Sequence, residues 1–520
     1  MDVSIKPKLA SLTKDWIQPI NRNQSLVDEM TFNFNNLIKD ISEKNDWNDS
    51  NINKLWLYNL HYFDDLNSID ADKRIEWHYK LIDNWIKHNP PLKGNGWEPY
   101  PTSLRIVNWI KWSLSGNLLK DSALKSLKVQ VRFLNKNIET HLMGNHLFAN
   151  AKALLYAGIF FSDKESNDWY DRGLEIISNE LSEQVLKDGG GFELSTMYHT
   201  ILLEDLLDIL NILNSFNKDL PEKLINKINL MYEWLNIMSH PDGEISFFND
   251  AAQKVAPNLI EIKSYIKRLN ESNLIYINID TKKKINKNFV DLNESGYSRV
   301  QAKNFVLIID RAAIGPDYLP GHSHADTLSF EMSLFNKRVI VNSGTSTYEN
   351  NNERKFQRGT SAHSTVTIDS QNSSETWKSF RVARRAKIFN LKNDLQRGKI
   401  IVSASHNGYA RLKGKPIHTR KWKISRSSLE IIDDITGTEA HDIQVIFPLH
   451  PDVKILDYDI EKVFLDVLGN KVEINFVGQG ELDIQNSLYH KEFGLSLKNM
   501  HLHYNYSGKL PVQLISKVIW

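Results

Sequence analysis

The sequence predicts an α+β protein of two domains, α-helical over residues 1–280 and antiparallel β over residues 281–520. Three observations carry this. At 520 residues the chain is too long for one hydrophobic core. Apolar residues recur at helical spacing before residue 280 and alternate in short runs after it. Between the two textures lies a polar, lysine-rich stretch, residues 281–288, that reads as a linker.

In the first half apolar residues recur at helical spacing, as in Leu104, Val107, Trp109, Ile110 and Trp112, or Leu202, Leu203, Leu206, Ile209, Leu210 and Leu213. Turn residues punctuate such segments at Pro90-Pro91, Gly189-Gly190-Gly191 and Pro241-Asp242-Gly243, so the half reads as a run of paired helices. Most of the 13 tryptophans lie at or before Trp234 and read as packing residues. Trp97, in the turn Gly94-Asn95-Gly96-Trp97-Glu98, is a candidate for stacking on a sugar ring. In the second half, Phe305 to Ile309, Val339 to Val341, Ile400 to Val402 and Leu429 to Ile432 read as antiparallel strands separated by turn residues.

Hydrophobic content of 41% and charged content of 24% are ordinary for a globular chain. A net charge of +1 argues against nucleic-acid or membrane-surface partners. No stretch is apolar for long enough to insert in a bilayer. The absence of cysteine excludes disulfides and thiolate metal sites. The start, Met1 to Pro7, lacks the apolar centre of a signal peptide. As given, the chain reads as cytoplasmic, and as periplasmic or secreted if a signal was removed.

Chemistry concentrates in four places. Gly321-His322-Ser323-His324-Ala325-Asp326 holds two imidazoles one residue apart, followed by the strand-like run Leu328 to Leu334. On a strand, residues two apart face the same side, so His322 and His324 are expected to look into one pocket. A third histidine, His363, sits in another strand-like run, Ala362 to Ile368. Imidazole is both the commonest metal ligand and the natural acid or base near neutral pH. In the helical half, His141 to Asn150 opens a helix, and Asn145 by itself reads equally as a helix cap. The glycine loop Asp188 to Gly191 leads into a helix whose first turns present Glu193, Tyr198 and His199.

Taken together, Gly144-Asn145-His146, Gly191-Phe192-Glu193 through Tyr198-His199, Gly321 to Asp326, and Ala362-His363-Ser364-Thr365-Val366 resemble the heparinase II/III family of polysaccharide lyases, related in architecture to alginate lyases. Their order and spacing match too. The upstream run Leu55 to Asp64 resembles members found among bacterial surface-polysaccharide genes. The resemblance implies an incomplete (α/α) toroid followed by an antiparallel β-sandwich. It also implies β-elimination at a uronic acid, in which the carboxylate is neutralised, the C5 proton removed and the 4-linked sugar expelled.

By this resemblance Asn145 neutralises the uronate carboxylate with His146 beside it, Tyr198 is the acid and on one face of the sugar also the base, and His322 is the base for the opposite face. His324 and His363 match metal ligands. Between them Asn342, in Val341-Asn342-Ser343-Gly344-Thr345, stands where an aspartate is expected. An uncharged amide is a weaker ligand, so the expected cofactor is a divalent metal, zinc foremost, structural and weakly bound. Arg354, Lys355, Arg358, Arg381, Arg384, Arg385 and Lys387 cluster in sequence near the histidine runs. Of these Arg358 and Arg384 are expected to contact an acidic polysaccharide, along with Arg105 from the helical side, Trp97, Glu193, His146 and His199. Lys387 reads as a solvated face.

The function expected is a lyase cleaving a uronic-acid glycan, either heparin- or heparan-like or a bacterial capsule or exopolysaccharide. A glycan hydrolase or transferase on the same scaffold, and a binding protein without chemistry, stay open as alternatives.

Overall fold

The computed structural model describes residues 3, 6–272, 276–278, 288–396 and 398–520. The expected linker, Asn288 excepted, and the boundary at residue 280 lie outside them, as does most of the Met1 to Pro7 run. Helices span Lys54–Tyr62, Ile75–His88, Pro99–Leu114, Asp121–Lys136, Gly144–Phe160, Lys164–Gln184, Thr196–Ser215, Leu224–Met238 and Leu259–Glu271, with a short one at Asn352–Gln357. Strands dominate from Phe289 onward. No helix among the described residues is long and apolar enough to cross a membrane.

The chain groups into two compact units, neither continuous in sequence. One comprises Met1–Val185, Ile201–Asn229 and Ile260–Ile279, the other Leu186–Thr200, Leu230–Leu259 and Asp280–Trp520. Tyr198 therefore belongs with the strands.

In the first unit, helix Pro99–Leu114 starts with proline, whose fixed φ and missing N–H suit a first turn, and buries Ile106, Val107, Trp109, Ile110 and Trp112. It packs on Gly144–Phe160, which is apolar on almost every side and lies between Pro99–Leu114 and Lys164–Gln184. One element was not expected, a small antiparallel sheet of Leu26–Asp28, Thr31–Phe34 and Leu37–Asp40. Asn35 and Asn36 turn it with φ of 54° and 59°, the left-handed pair that a two-residue hairpin requires. Its strands have only three or four residues, too few for alternation to register.

The second unit is built from antiparallel sheets. Phe289–Leu292, Tyr297–Ala302, Phe305–Asp310, Phe330–Leu334 and Lys337–Ile340 form a five-stranded sheet in chain order. Eight strands form a larger sheet, ordered Ile388–Gln396, Lys399–His406, Ile417–Ile424, Ser428–Thr436, Val512–Ile519, Asn470–Val477, Lys462–Val467 and Lys454–Tyr458. A four-stranded sheet orders Glu481–Glu492, Leu495–Lys509, Ala440–Pro448 and Val366–Ile368. Their apolar faces share one core that includes Leu307, Phe330, Val366, Trp422, Ile431, Val445, Leu502 and Val518.

An ionic group is buried against that core. Arg420 donates to Asp433 from Nε (2.7 Å) and from its second terminal nitrogen (3.0 Å), and His418 Nε2 lies 2.7 Å from the same carboxylate. Burial alone would raise this carboxyl; Arg420 and His418 outweigh it and hold it at about 2. A lowered carboxyl contributes stability that is complete above the unfolded pKa of about 3.9 and is lost as pH falls toward 2. Comparing the parent with Asp433→Asn in denaturant, the pH-dependent part of the difference should be on the order of 2 kcal/mol above about pH 4. It should shrink steadily below that. A difference flat from pH 6 to pH 2 would contradict the assignment.

Candidate active site

The centre of the second unit is a carboxylate, Asp250, fully buried in the irregular segment that follows the turn Ser239 to Ile245. The segment is laced from several sides. Glu331, on strand Phe330–Leu334, accepts from Phe247 N (3.0 Å) and Asn342 N (2.8 Å) and meets His240 Nε2 at 2.8 Å. Asn249 takes φ of 58°, donates from Nδ2 to Leu194 O (3.0 Å) and accepts from His324 N (2.9 Å). Asp250 N donates to His322 O (2.9 Å), and Ser195 Oγ donates to Asp250 O (2.5 Å). One loop thus ties the Tyr198 segment to the His322 segment.

The Asp250 side chain does the same for the two imidazoles. Oδ2 lies 2.9 Å from His322 Nδ1, and Oδ1 lies 2.8 Å from His324 Nε2. Arg354 grips both oxygens, one of them from its second terminal nitrogen at 2.8 Å, and Thr345 Oγ1 adds a weaker contact at 3.3 Å. Burial works against this charge, yet Arg354 and the two imidazoles keep the carboxyl well below its usual range. A carboxylate only accepts, so each ring nitrogen facing it carries the proton. The other ring nitrogen, His322 Nε2, is the one left for acid or base work, and it lies 3.6 Å from Glu193 Oε2.

Tyr198, near the start of helix Thr196–Ser215, sets its ring against His322 with centroids 3.8 Å apart and planes at 31°. Its hydroxyl is 2.9 Å from that of Tyr348. Burial raises the Tyr348 phenol well above the ordinary range, which keeps it protonated. Arg354 also stacks over Tyr348, 4.9 Å from the ring centroid, and donates to Ser379 O in the turn between Thr376–Trp377 and Arg381–Val382. A phenol, a carboxylate-oriented imidazole and a buried guanidinium are therefore assembled at one spot.

Asn145 and His146 belong to the helical unit, in the first turn of Gly144–Phe160. Asn145 hydrogen-bonds Tyr100, and His146 stacks on Tyr100 at 4.4 Å with Nδ1 3.2 Å from Glu139 Oε2. Both side chains are half-buried rather than sealed.

Four of the expected substrate contacts are corrected by their surroundings. Trp97 is buried, its indole N–H donating to Asn89 O and its ring packed on Trp85 and Phe133. Arg105 is fully buried, spends its guanidinium on Gln130 Oε1, His61 O and Gly96 O, and stacks on Trp85. His199 accepts from Gly191 N (3.1 Å), donates to Met231 O (3.0 Å), and is lowered by burial to about 3. It braces the glycine loop, where Gly189 takes φ of +94° and a Cβ would strike Leu230 O. Arg358 is 1% exposed and points at backbone oxygens of Ser323, Lys378 and Arg381. Arg384, by contrast, is exposed and pairs with Glu375.

His322 and His324 converge as expected, though from an irregular loop that precedes strand Phe330–Leu334 rather than from a strand. His363 likewise precedes Val366–Ile368. His324 Nδ1 and His363 Nε2 face each other at 3.2 Å, while His363 Nδ1 donates to Gly359 O. Asn342 is buried, with its oxygen accepting from Ser364 N (3.1 Å) and its Nδ2 turned to Ser329 Oγ. Asp250, Tyr348 and Arg354's role are what sequence reasoning missed. An acid inside the apolar run Phe247 to Ala252 was the one available signal for Asp250.

Comparison with known proteins gives a consistent picture. Residues 70–276 match the model of the heparinase II/III N-terminus, and residues 284–509 match that of the heparinase II/III-like C-terminal region. A heparin-sulfate lyase of Bacteroides stercoris is 24% identical over 421 residues, covering 73% of this chain and 60% of its own length. One from Pedobacter heparinus is 25% identical over 324 residues, covering 57% and 48% respectively. The chain thus spans 60% and 48% of the length of these curated relatives. Among solved structures, heparinase III aligns at 17% identity with a TM-score of 0.72, covering 90% of this chain and 76% of that one. The heparan sulfate lyase of Pedobacter heparinus aligns at 19% identity and 0.62, covering 94% and 81%. This likeness bears out the expected fold class, a helical N-terminal region followed by antiparallel sheets.

Proposed function

The chain belongs to the heparinase II/III family, and on that premise we propose that it is a polysaccharide lyase that cleaves a uronic-acid-containing glycan by β-elimination. One observation carries this reading: the Tyr198 phenol packed on the His322 ring, whose Nδ1–H is held by the buried Asp250 carboxylate. The carboxylate fixes the tautomer and leaves Nε2 basic, the logic by which a buried acid orients a catalytic imidazole. His322 removes the C5 proton on one face of the ring. Tyr198 delivers a proton to the departing 4-oxygen, and Tyr348 hydrogen-bonds its phenol. Asn145 donates to the substrate carboxylate, stabilising the enolate-like intermediate more than the ground state. The names of the curated relatives favour a heparan-type glycan over a bacterial capsule or exopolysaccharide.

The test is a panel of uronic-acid polysaccharides followed in the ultraviolet. Elimination creates a C=C conjugated to the carboxylate and a new absorbance band. Hydrolysis or transfer creates new ends without that band, and a protein that binds without chemistry creates neither.

The metal reading continues as a proposal. The outward nitrogens of His324 and His363 are spent on Asp250 and Gly359, so the inward pair presents two lone pairs. Burial lowers His324 to about 4 and His363 well below its usual value, which disfavours a shared proton. Their 3.2 Å spacing suits two ligands of one ion with bonds of about 2.0–2.1 Å. The third position does not fit as well, because the Asn342 oxygen is taken by Ser364 and carries no charge. Among the described residues no group of three or more His, Cys, Asp or Glu is placed to hold an ion. Zinc would thus be held weakly by His324 and His363, and no catalytic step passes through it. Asn342→Asp should raise zinc affinity by at least about tenfold, and lyase turnover of the parent should survive chelation. Stoichiometric, tightly held metal in the parent, with turnover lost on chelation, would contradict both expectations.

A further inference from the structure

The four-stranded sheet has two unlike faces. Leu502, Tyr504, Val445 and Val366 point into the common core. The alternate positions point outward: His501 and His503 on Leu495–Lys509, Gln444 on Ala440–Pro448, and Gln485 and Ser487 on Glu481–Glu492. Strand register brings them together, with Gln485 opposite His501 and Gln444 opposite Thr367. They line a groove of about 350 Å³. None of the residues around Asp250 lines it.

Two features suggest a ligand. Buried His501 Nε2 and His503 Nδ1 have no hydrogen-bond partner among the described residues, although a buried polar atom left unpaired costs about 1–3 kcal/mol. The rings of Phe356, His501 and His503 also form a near-parallel row, with centroids 6.3 Å and 6.1 Å apart and planes at 29° and 22°. The remaining lining is amide and hydroxyl, with no lysine, arginine, aspartate or glutamate. Asp483, opposite His503 in register and bonded by Gln485 Nε2 at 2.8 Å, adds negative charge nearby. Such a surface offers sulfate and uronate no fixed counter-charge. Its mixed donors and acceptors match hydroxyl groups, and its ring row matches the apolar face of a pyranose. The volume lies at the low end of small-molecule sites.

We propose that this groove is a second saccharide site, one that takes an uncharged sugar unit, a hexose or N-acetylhexosamine, rather than an acidic one. It would hold a neutral stretch or neighbouring chain of a glycan on the β unit. The proposal does not depend on which polysaccharide the Tyr198–His322 group cleaves.

The experiment titrates the full chain with cellotriose, maltotriose and chitotriose by calorimetry and saturation-transfer NMR, with a sulfated heparin tetrasaccharide alongside. At least one neutral trisaccharide should bind with Kd on the order of 1 mM or tighter. Gln485→Trp, at an exposed position on the groove wall, should weaken that binding at least tenfold while leaving lyase turnover and melting temperature unchanged. Ser487→Phe, two residues along on the same face, should act likewise and guards against a folding defect in the first variant. Absence of binding by all three neutral sugars would overturn the proposal. So would binding indifferent to both groove-filling variants, or the sulfated tetrasaccharide displacing the neutral ligand from the groove.

Discussion

Tyr198→Phe is expected to cost at least about 10²-fold in lyase turnover, and up to about 10⁴-fold, because it deletes only the proton delivered to the leaving oxygen. The ring that packs on His322 remains, so folding and glycan binding should be almost unchanged and the loss should fall on kcat rather than KM. Tyr348 lies 2.9 Å from the missing hydroxyl, but its own phenol is held protonated by burial and takes the partner's role rather than the acid's. Turnover within a few-fold of the parent in Tyr198→Phe would remove this side chain from the mechanism.

Asp250→Asn should be the most damaging single substitution in the second unit, since it fails in two separate ways. The amide no longer fixes the His322 tautomer, so the loss of turnover should reach or exceed that of His322→Ala. It also leaves Arg354 buried and unpaired, a type of change that costs about 3–5 kcal/mol. His322→Ala, at a partly exposed side chain, should by comparison slow the chemical step with little change in melting temperature, and His324→Ala should lower the melting temperature instead. Turnover and thermal unfolding of the three variants side by side check this. Unchanged activity in Asp250→Asn would remove the carboxylate from the mechanism, and equal stability losses at both histidines would remove their division of roles.

Much of this was legible in the order of residues, and the reason differs by element. Long helices such as Thr196–Ser215 declare themselves because apolar residues recur at helical spacing over several turns, as Leu202, Leu203, Leu206, Ile209, Leu210 and Leu213 do. The Leu26–Asp40 hairpins are too short for any period. Tyr198, His322 and His324 stood out because their spacing to glycine and to one another resembles a known pattern. Asp250 had no such context, since its importance comes from partners 72 and 104 positions away. The arginines misled for a physical reason. A guanidinium has five donors, and burial lets backbone carbonyls consume them, as around Arg105 and Arg358, where a sequence shows only a positive charge. The same chemistry made Arg354 more useful than expected, by joining Asp250 to the turn at Ser379.

The interrupted make-up of the second unit has a consequence for how the protein can be made and cut. Tyr198, Asp250, His322 and Arg354 come from Leu186–Thr200, Leu230–Leu259 and the long C-terminal stretch. A ribosome emits the first two well before His322 and Arg354 exist, so during translation those segments must wait for later chain to complete their contacts. A fragment starting near residue 281 would contain every strand of the large sheets and still lack Tyr198 and Asp250. Excising the β region for expression would therefore yield a scaffold with His322 unoriented and Arg354 missing its counter-charge. Attempts to graft or trim this protein should keep residues 186–259 on the same piece as the C-terminal strands.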